Sequence, residues 1–429
     1  MRKIKIPKSV KNVLNILEDN GFEAYIVGGC VRDSIVGRTP KDWDICTSAR
    51  PMQYLKCFEN FHIIQTGLKH GTVTVVSDNE FVEVTSFRAD GTYSDKRRPD
   101  NVIYITSLED DLKRRDFTMN ALSYNEKDGL QDYFSGLKDI EKKQIKCVGD
   151  PEKRFAEDAL RILRALRFCA ELGFDIENET LEAAKMHAEK LKNISVERIY
   201  NEFAQMICGK YCKKALILGE NIIEEFIPEI NILMKNCKWN ETLDVLDLSS
   251  NNKVLRLAIF FCKFDIKDRI EIAYKVLKRL KCDKQTMETV VTLIKSFNEE
   301  IYSNRISVKR WLNKLGETNF KLLLEFHLAD VNTEIKNEEK RKNSEDIKQA
   351  LLILDDIINS GECYSLRDLN VDGNDLIKIG VPYGKMIGSI LQNLLEMVIN
   401  EDLKNDKEIL LNQVNIWLKS NYKLFEKIC

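Results

Sequence analysis

The sequence predicts an α+β protein, with a small mixed β-sheet head followed by all-α neck, body and tail domains. Strand-like runs are collected in the first third of the chain, and helical periodicity dominates from about Leu108 onward. The chain has 429 residues, which is too long for one ordinary domain. We therefore place the head at residues 1–150, the neck at 151–205, the body at 206–330 and the tail at 331–429.

The head is predicted to begin with an amphipathic helix in the first 20 residues. Strand-like runs follow it in the order EAYIVGG, DWDICTS and, near Asn101, NVIYITS. A β-hairpin is predicted in GTVTVVSDNEFVEVTSF, because Ser77-Asp78-Asn79 is a turn signal between two β-rich runs. Later in the chain, the charged segment that starts at Glu334 predicts a solvated helix or a linker, and it marks the boundary of the tail.

Composition narrows the possible functions. The net charge is −2, so any basic surface for nucleic acid must be local. The N-terminus has no apolar run of signal-peptide length, and no window approaches 18 uncharged apolar residues, so we predict no membrane span. Twelve scattered cysteines indicate reduced thiols in a cytoplasmic protein, and four histidines argue against a histidine-based metal site or hydrolase.

Two carboxylates in the head have the spacing of a metal site. Asp42 and Asp44 are two residues apart, so on a strand they point to the same face. Paired carboxylates can hold hard divalent cations, and Mg²⁺ prefers oxygen ligands together with substrate phosphates. Glu83, on the second strand of the predicted hairpin, is our candidate for a third carboxylate. The alternative is a pair of exposed carboxylates at a strand end.

A glycine turn precedes this pair. Gly28 and Gly29 follow an apolar run and lead into Val31-Arg32-Asp33, which predicts a strand-to-helix turn whose backbone amides can approach an anion. Arg32 adds a forked phosphate donor. The alternative is a simple tight turn with a solvated arginine.

A second polar cluster lies in RRDFTMNA, residues 114–121. Its arginines, acid and amide can bond ribose hydroxyls or phosphates. The alternative is a helix start capped by Asp116 or Thr118.

The segment EDALRILRALRF, residues 157–168, predicts a helix with an apolar side and a side of two acids and three arginines without lysine. Asp158 and Arg161 would place an acceptor beside a donor, which matches the Watson–Crick edges of cytosine and adenine and opposes those of uracil and guanine. Arg164 and Arg167 would continue along the helix towards a triphosphate. The alternative is an exposed, salt-bridged helix.

These four motifs, taken in chain order from the glycine turn over residues 28–168, resemble those of the class II branch of the polymerase-β-like nucleotidyltransferases and follow the family's order. That branch contains the bacterial CCA-adding enzymes and the bacterial poly(A) polymerases. The resemblance implies that Asp42 and Asp44 bind two catalytic Mg²⁺ ions and that Arg115 is a nucleotide ligand. It also implies ribose contacts for Asp116 and Asn120, and base reading by the E-D-x-x-R pattern that contains Asp158.

The implied activity is addition of C, C and A to the 3′ end of tRNA from CTP and ATP, with release of pyrophosphate. An adenosine-adding enzyme or a poly(A) polymerase of the same family is the alternative. No membrane and no protein partner are implied. In the family, a loop like the one from Phe87 supports the switch to ATP, a motif like VERIYNEF braces the base-reading helix, and a tail segment like that from Leu369 grips the tRNA elbow. That last segment could equally be a loop between packing helices.

Overall fold

A computed structural model describes residues 3–89, 103–333 and 338–419. The chain divides into two compact units, Met1–Asn236 with Val276–Cys282 and Cys237–Lys275 with Asp283–Cys429. No helix among the described residues is long and apolar enough to cross a membrane. The cysteines of the described ranges all have free thiols.

The first unit contains the β-structure. The strands are β1 Ala24–Val27, β2 Trp43–Thr47, β3 His62–Ile64, β4 Thr72–Ser77, β5 Glu80–Ser86, β6 Arg88–Ala89, β7 Ile103–Tyr104, β8 Ser123–Asn125, β9 Gly129–Gln131, β10 Gln144–Ile145 and β11 Asp175–Ile176. Within the described ranges, seven of them form one sheet in the order β3-β4-β5-β2-β1-β8-β9. The sheet is mixed, because β2 and β5 run parallel while the other neighbouring pairs are antiparallel.

Helices make up most of the remaining chain. They are α1 Lys8–Asp19, α2 Gly29–Ile35, α3 Pro51–Cys57, α4 Leu108–Lys113, α5 Gly136–Glu141, α6 Pro151–Glu157, α7 Leu160–Leu172, α8 Asn178–Met186, α9 Val196–Ile207, α10 Cys212–Leu218, α11 Glu220–Glu224, α12 Ile230–Lys235, α13 Lys238–Leu248, α14 Lys253–Cys262, α15 Arg269–Arg279, α16 Lys284–Ser296, α17 Arg305–Asn332, α18 Glu338–Ser360, α19 Gly373–Lys378, α20 Lys385–Ile399 and α21 Lys407–Lys419. The predicted α+β class, with a mixed-sheet head and a helical remainder, is therefore confirmed.

The hairpin prediction is also confirmed. Strands β4 and β5 pair antiparallel, and the turn residues Asp78 and Asn79 have φ values of 48° and 63°. Asparagine and aspartate tolerate this left-handed conformation better than other non-glycine residues, which explains their place in a two-residue turn.

The expectation that strands fade after Leu108 is wrong for β8 and β9, which extend the same sheet beside β1. Each is only three residues long, so neither carries enough alternation to be read from sequence. Of the predicted run NVIYITS, Ile103–Tyr104 form β7, while residues 101–102 lie outside the described residues. Most of the loop predicted from Phe87, residues 90–102, also lies outside them.

The second unit is helical. Its C-terminal part packs α19, α20 and α21 around a common apolar cluster that includes Leu376, Leu394 and Leu410. The charged segment predicted from Glu334 is helical from Glu338 onward, in α18, and residues 334–337 lie outside the described residues. The glycine-rich segment predicted from Leu369 leads into α20 through Gly384, whose φ is 140°.

Candidate active site

Two acidic residues lie opposite each other on neighbouring central strands, and a third precedes one of these strands. Asp44 lies in β2, directly opposite Glu83 of the parallel neighbour β5, and Asp42 lies one residue before β2. Burial raises the pKa of Asp44 to about 6, and repulsion from Glu83 and then Asp42 adds to that rise, while Arg115 opposes it. Both other acids therefore act on the carboxylate of Asp44, and a nearby cation would relieve this repulsion.

The donor chemistry of these acids fits a hard divalent cation, because carboxylate oxygens are the ligands such ions prefer. Among the described residues, no three acidic, cysteine or histidine side chains lie close enough together to hold a metal ion. Asp42 and Asp44 could hold an ion whose remaining ligands come from substrate phosphates and water, which is the usual arrangement for Mg²⁺. The role of Glu83 as a third ligand stays a prediction.

The glycine turn is present and lies against Arg115. Gly28 follows β1 with φ 81° and ψ −128°, and α2 begins at Gly29. A Cβ atom on Gly28 would lie 3.1 Å from Nη1 of Arg115. Glycine is therefore needed at position 28 both for its backbone conformation and for the close approach of the guanidinium group.

With Arg115 as the nucleotide ligand that the resemblance implies, we expect Gly28→Ala to displace it and to raise KM for CTP and ATP roughly tenfold. Gly21→Ala is the matched control, since Gly21 also has a positive φ, of 83°, but a Cβ atom there would meet no other atom within 4 Å. Steady-state kinetics and thermal unfolding of both variants measure the effect. Equal changes in KM for both variants would show that backbone strain alone is responsible.

Asp111 is a site residue that sequence reasoning missed. It is fully buried, and its carboxylate pairs with Nη2 of Arg114 at 2.8 Å and with Nη2 of Arg115 at 3.3 Å. Burial by itself would raise the pKa of Asp111, but Arg115 and Arg114 outweigh it and lower that pKa. The sequence did contain one indication of this contact. Asp111 lies in α4, and Arg114 and Arg115 follow it by three and four residues, the spacing at which side chains meet on a helix.

Asp116, Asn120 and Arg32 form one buried hydrogen-bonded group. Nη1 of Arg32 donates to Oδ1 of Asn120 at 2.7 Å, and Nδ2 of Asn120 donates to Oδ1 of Asp116 at 3.1 Å. Nε of Arg164, from α7, donates to Oδ2 of Asp116 at 2.8 Å. Arg32 also pairs with Asp33, its neighbour in sequence. Hydrogen bonds thus connect predicted ligand residues from the glycine turn, the RRDFTMNA segment and α7. Arg32 is buried, so little of its side chain is exposed to a ligand.

The helix-start alternative for residues 114–121 is not observed. A short 3₁₀ helix covers Thr118–Asn120 and has no side-chain cap, and the backbone N–H of Phe117 donates to Oδ1 of Asp116. The hydroxyl of Thr118 instead donates to Asp139 at 2.6 Å.

The charge of Asp116 should make stability depend on pH. Burial would raise the pKa of Asp116, but Arg164, Asn120 and Arg161 together lower it to about 2. A lowered carboxyl pKa stabilises the folded state above the unfolded-state pKa near 3.9, and this contribution is lost as pH falls towards 2.

We therefore expect Asp116→Asn to lose about 2 kcal/mol of unfolding free energy at pH 7 and about half of that at pH 3. Urea denaturation of both proteins between pH 7 and pH 3 measures the difference. Asp110→Asn, at an exposed acid of α4, is the control. The lowered pKa of Asp116 would be contradicted if the difference in unfolding free energy between the wild type and Asp116→Asn stayed the same from pH 7 to pH 3.

The predicted single helix over residues 157–168 is wrong at its start. Helix α6 ends at Glu157, Asp158 is extended with φ −144° and ψ 103°, and α7 begins at Leu160. Oδ1 of Asp158 accepts a hydrogen bond from the backbone N–H of Leu160 at 3.0 Å, so its side chain bonds the start of α7 rather than continuing a helix. Asp158 therefore precedes α7 while Arg161 lies in its first turn, and the backbone N–H of Arg161 donates to the carbonyl of Asp158 at 3.1 Å.

Arg161 joins α7 to the RRDFTMNA segment. Its Nη1 donates to Oε2 of Glu157 at 2.7 Å and to the carbonyl of Arg154 at 3.2 Å, and its Nη2 donates to the carbonyl of Arg114 at 3.2 Å. The last of these bonds joins Arg161 to the residue that precedes Arg115, and the charge of Arg115 lowers the pKa of Asp44.

The other two arginines of α7 are paired with acids distant in sequence. Nε of Arg167 lies 3.0 Å from Oε2 of Glu202, and Nη1 of Arg164 lies 3.7 Å from Oε1 of the same residue. The side chain of Arg164 is 33% exposed and that of Arg167 13%, so Arg164 is better placed to meet a ligand. Glu202 lies in the VERIYNEF segment, which the resemblance implied would brace this helix, but the sequence did not identify this acid as the partner of the two arginines.

Helix α9, which contains the VERIYNEF segment, contacts α7 as the resemblance implied. Nη2 of Arg198 donates to Oδ2 of Asp158 at 2.9 Å, and Nη1 of Arg167 donates to Oε1 of Gln205 at 2.6 Å. Helix α9 therefore contacts Asp158, just before α7, and also Arg167, further along α7.

Comparison with known proteins identifies the family. Curated CCA-adding enzymes match over nearly the whole chain: one from Leuconostoc mesenteroides is 36% identical over 403 residues, covering 93% of both chains. One from Listeria monocytogenes is 35% identical and covers 95% of this chain and 96% of its own. The chain belongs to the CCA-adding enzyme family. Family models agree: a poly A polymerase head domain matches residues 24–146, a probable RNA and SrmB-binding site of polymerase A matches residues 173–234, and a putative domain 2 of tRNA nucleotidyltransferase matches residues 251–414.

Solved structures of the family share the fold. The crystal structure of the Bacillus stearothermophilus CCA-adding enzyme in complex with CTP is 28% identical, covers 98% of this chain and 99% of its own, and gives a TM-score of 0.74. The Thermotoga maritima CCA-adding enzyme complexed with tRNA is 20% identical with a TM-score of 0.59. At that identity the second match shows a common fold and nothing more.

Proposed function

We propose that this protein is a CCA-adding tRNA nucleotidyltransferase, which adds C, C and A to the 3′ end of tRNA from CTP and ATP and releases pyrophosphate. The observation that carries the proposal is the connection between Asp44 and α7. The charge of Arg115 lowers the pKa of Asp44, and the adjacent residue, Arg114, accepts a hydrogen bond from Arg161 through its carbonyl. This connection through Arg114 and Arg115 supports a site in which one bound nucleotide meets both the residues for chemistry and those for base selection.

Asp42 and Asp44 are the residues that we propose as holders of two Mg²⁺ ions, with Glu83 as a further carboxylate. When bound, such ions would polarise the α-phosphate and lower the pKa of the attacking 3′-hydroxyl. The raised pKa of Asp44 supports this role, because a nearby cation would relieve the repulsion that contributes to it. Arg115, held by Asp111 and packed against Gly28, would bind the nucleotide from the opposite side.

Base selection is proposed to come from Asp158 and Arg161. A carboxylate accepts and a guanidinium donates, so the pair complements the amino group and ring nitrogen that cytosine and adenine share. Arg198 orients Asp158, and Glu157 orients Arg161, before any nucleotide arrives. This fixed orientation would let the protein read the base without a template strand.

The remaining residues would bind ribose and phosphate. Asp116 and Asn120 are proposed for the ribose, and Gly29, Arg32, Arg164 and Arg167 for the triphosphate. Arg164 is the most exposed of the three arginines and should make the most direct contact. Forked donors suit phosphate oxygens, which accounts for arginine rather than lysine in this series.

The decisive experiment supplies a tRNA transcript that lacks its last three nucleotides with CTP, ATP or both, and sizes the products. We expect two additions with CTP alone and three with both nucleotides. Long adenosine tails would identify a poly(A) polymerase, and a single addition restricted to a tRNA that already ends in CC would identify an adenosine-adding enzyme. A transcript that stays unextended under all conditions would refute transfer altogether.

A further inference from the structure

The ring of Phe168 lies at the centre of three guanidinium groups. The guanidinium carbons of Arg167, Arg32 and Arg164 lie 4.4, 5.0 and 5.4 Å from the ring centroid. Arg164 and Arg167 belong to α7, as does Phe168, whereas Arg32 belongs to α2 beside the glycine turn. The ring of Phe168 therefore contacts guanidinium groups both from α7 and from the helix that follows the glycine turn.

The same guanidinium groups are connected by a chain of polar contacts. Arg32 bonds Asn120, which bonds Asp116, and Asp116 accepts from Arg164. Glu202 then links the chain onward through its contacts with both arginines of α7. Each guanidinium is consequently held at its nitrogen atoms by acids or amides, while the ring of Phe168 lies close to all of them.

Phe168 is itself firmly fixed. It is 4% exposed, and its ring meets that of Phe117 edge to face at 5.8 Å with an interplanar angle of 88°. Phe117 directly follows Asp116 in the chain, so the ring is anchored to the segment that also carries the central acid. A fixed ring offers the cations a negative π face that does not depend on a mobile side chain.

The cations need such a partner because they repel one another. Burial lowers the pKa of Arg167 and the nearby charge of Arg164 lowers it further, while Glu202 opposes both effects. An aliphatic side chain at position 168 could fill similar space but would offer the guanidinium groups no negative π face. An aromatic face attracts a guanidinium electrostatically, and the attraction grows when the group is withdrawn from water.

We propose that Phe168 is a positioning residue, whose π face holds these three guanidinium groups in the arrangement that binds the nucleotide triphosphate. It does not touch the nucleotide, and it acts through the arginines. This inference rests on the proposed nucleotidyl transfer, since it requires that the arginines of α2 and α7 face the triphosphate.

The test replaces Phe168 with 4-fluorophenylalanine and then with 3,4,5-trifluorophenylalanine, which weaken the π face stepwise while largely keeping the shape of the ring. We expect KM for both CTP and ATP to rise stepwise, to about 5-fold for the trifluoro ring, with kcat and Tm little changed. Equilibrium titration of CTP in the absence of tRNA should show the same loss of affinity.

Phe58 is the matched control, since it is fully buried and meets Phe61 edge to face at 5.8 Å and 83°. Within the described ranges no lysine or arginine side chain stacks on the ring of Phe58. Fluorination there should leave KM unchanged. An unchanged KM after fluorination of Phe168, or an equal rise at Phe58, would overturn the inference. The wild-type protein is assayed first, so that a failure of nucleotidyl transfer itself is seen independently of the fluorinated series.

Discussion

Replacement of Asp42 or Asp44 by alanine should abolish nucleotidyl transfer while tRNA still binds. These carboxylates form the pair proposed to hold the catalytic ions, at the strand edge where Glu83 of β5 lies opposite Asp44. Loss of the ions would remove both activation of the 3′-hydroxyl and stabilisation of the leaving pyrophosphate, so we expect the rate to fall by at least about 10³-fold.

Single-turnover extension of a tRNA that lacks CCA measures the rate, and a filter-binding titration measures tRNA affinity. Glu59→Ala removes an exposed acid of the same unit and should extend tRNA normally. Should either aspartate variant retain substantial activity at saturating Mg²⁺, the assignment of the metal site to that residue would be wrong.

Alanine at Asp158 or Arg161 should relax selection against UTP and GTP. In the wild-type protein, the carbonyl acceptor of uracil or guanine would lie against the carboxylate of Asp158. The N–H donor of the base would lie against the guanidinium group of Arg161. Unpaired buried polar groups cost roughly 1–3 kcal/mol each, so each variant should lose about 10- to 100-fold of the discrimination.

The ratio of kcat/KM for CTP to that for UTP, and for ATP to that for GTP, measures this selection. Arg161→Lys keeps the positive charge but removes the forked geometry, and it should also lose discrimination. Arg38→Ala, at an arginine of the same unit whose side chain bonds only the carbonyl of Glu171 among the described residues, should keep it. If both alanine variants discriminated as the wild type does, bases would have to be read by other residues.

Each local motif carries its own chemistry, so the sequence alone could select candidate residue types for the site. The alternation of the hairpin is a property of neighbouring residues and appears in the structure, whereas Asp42 lies one residue before β2 and not on the strand that contains Asp44. That Glu83 lies opposite Asp44 depends on the parallel pairing of β2 with β5, which joins strands separated by almost 40 residues. Periodicity contains no information about that register.

The differences between the predicted and the observed site also arise from contacts between residues distant in sequence. Helical periodicity runs through residues 157–168, yet Asp158 leaves the helix because its carboxylate bonds the start of α7 and Arg198. Likewise, Arg164 suits a phosphate by its chemistry, but its pairing with Asp116 is a tertiary contact across 48 residues. Local propensity was overridden in both places by contacts that only the folded chain makes.

The pairing of the α7 arginines with Asp116 and Glu202 has a consequence for turnover. With the triphosphate bound as proposed, these guanidinium groups would already be partly hydrogen-bonded to carboxylates, so the triphosphate would gain less binding energy than from unpaired arginines. After transfer, the same carboxylates would compete with the departing pyrophosphate for the arginines. A nucleotide-adding protein that must reload for each of several successive steps gains from such competition, because tight retention of the leaving group would slow every cycle.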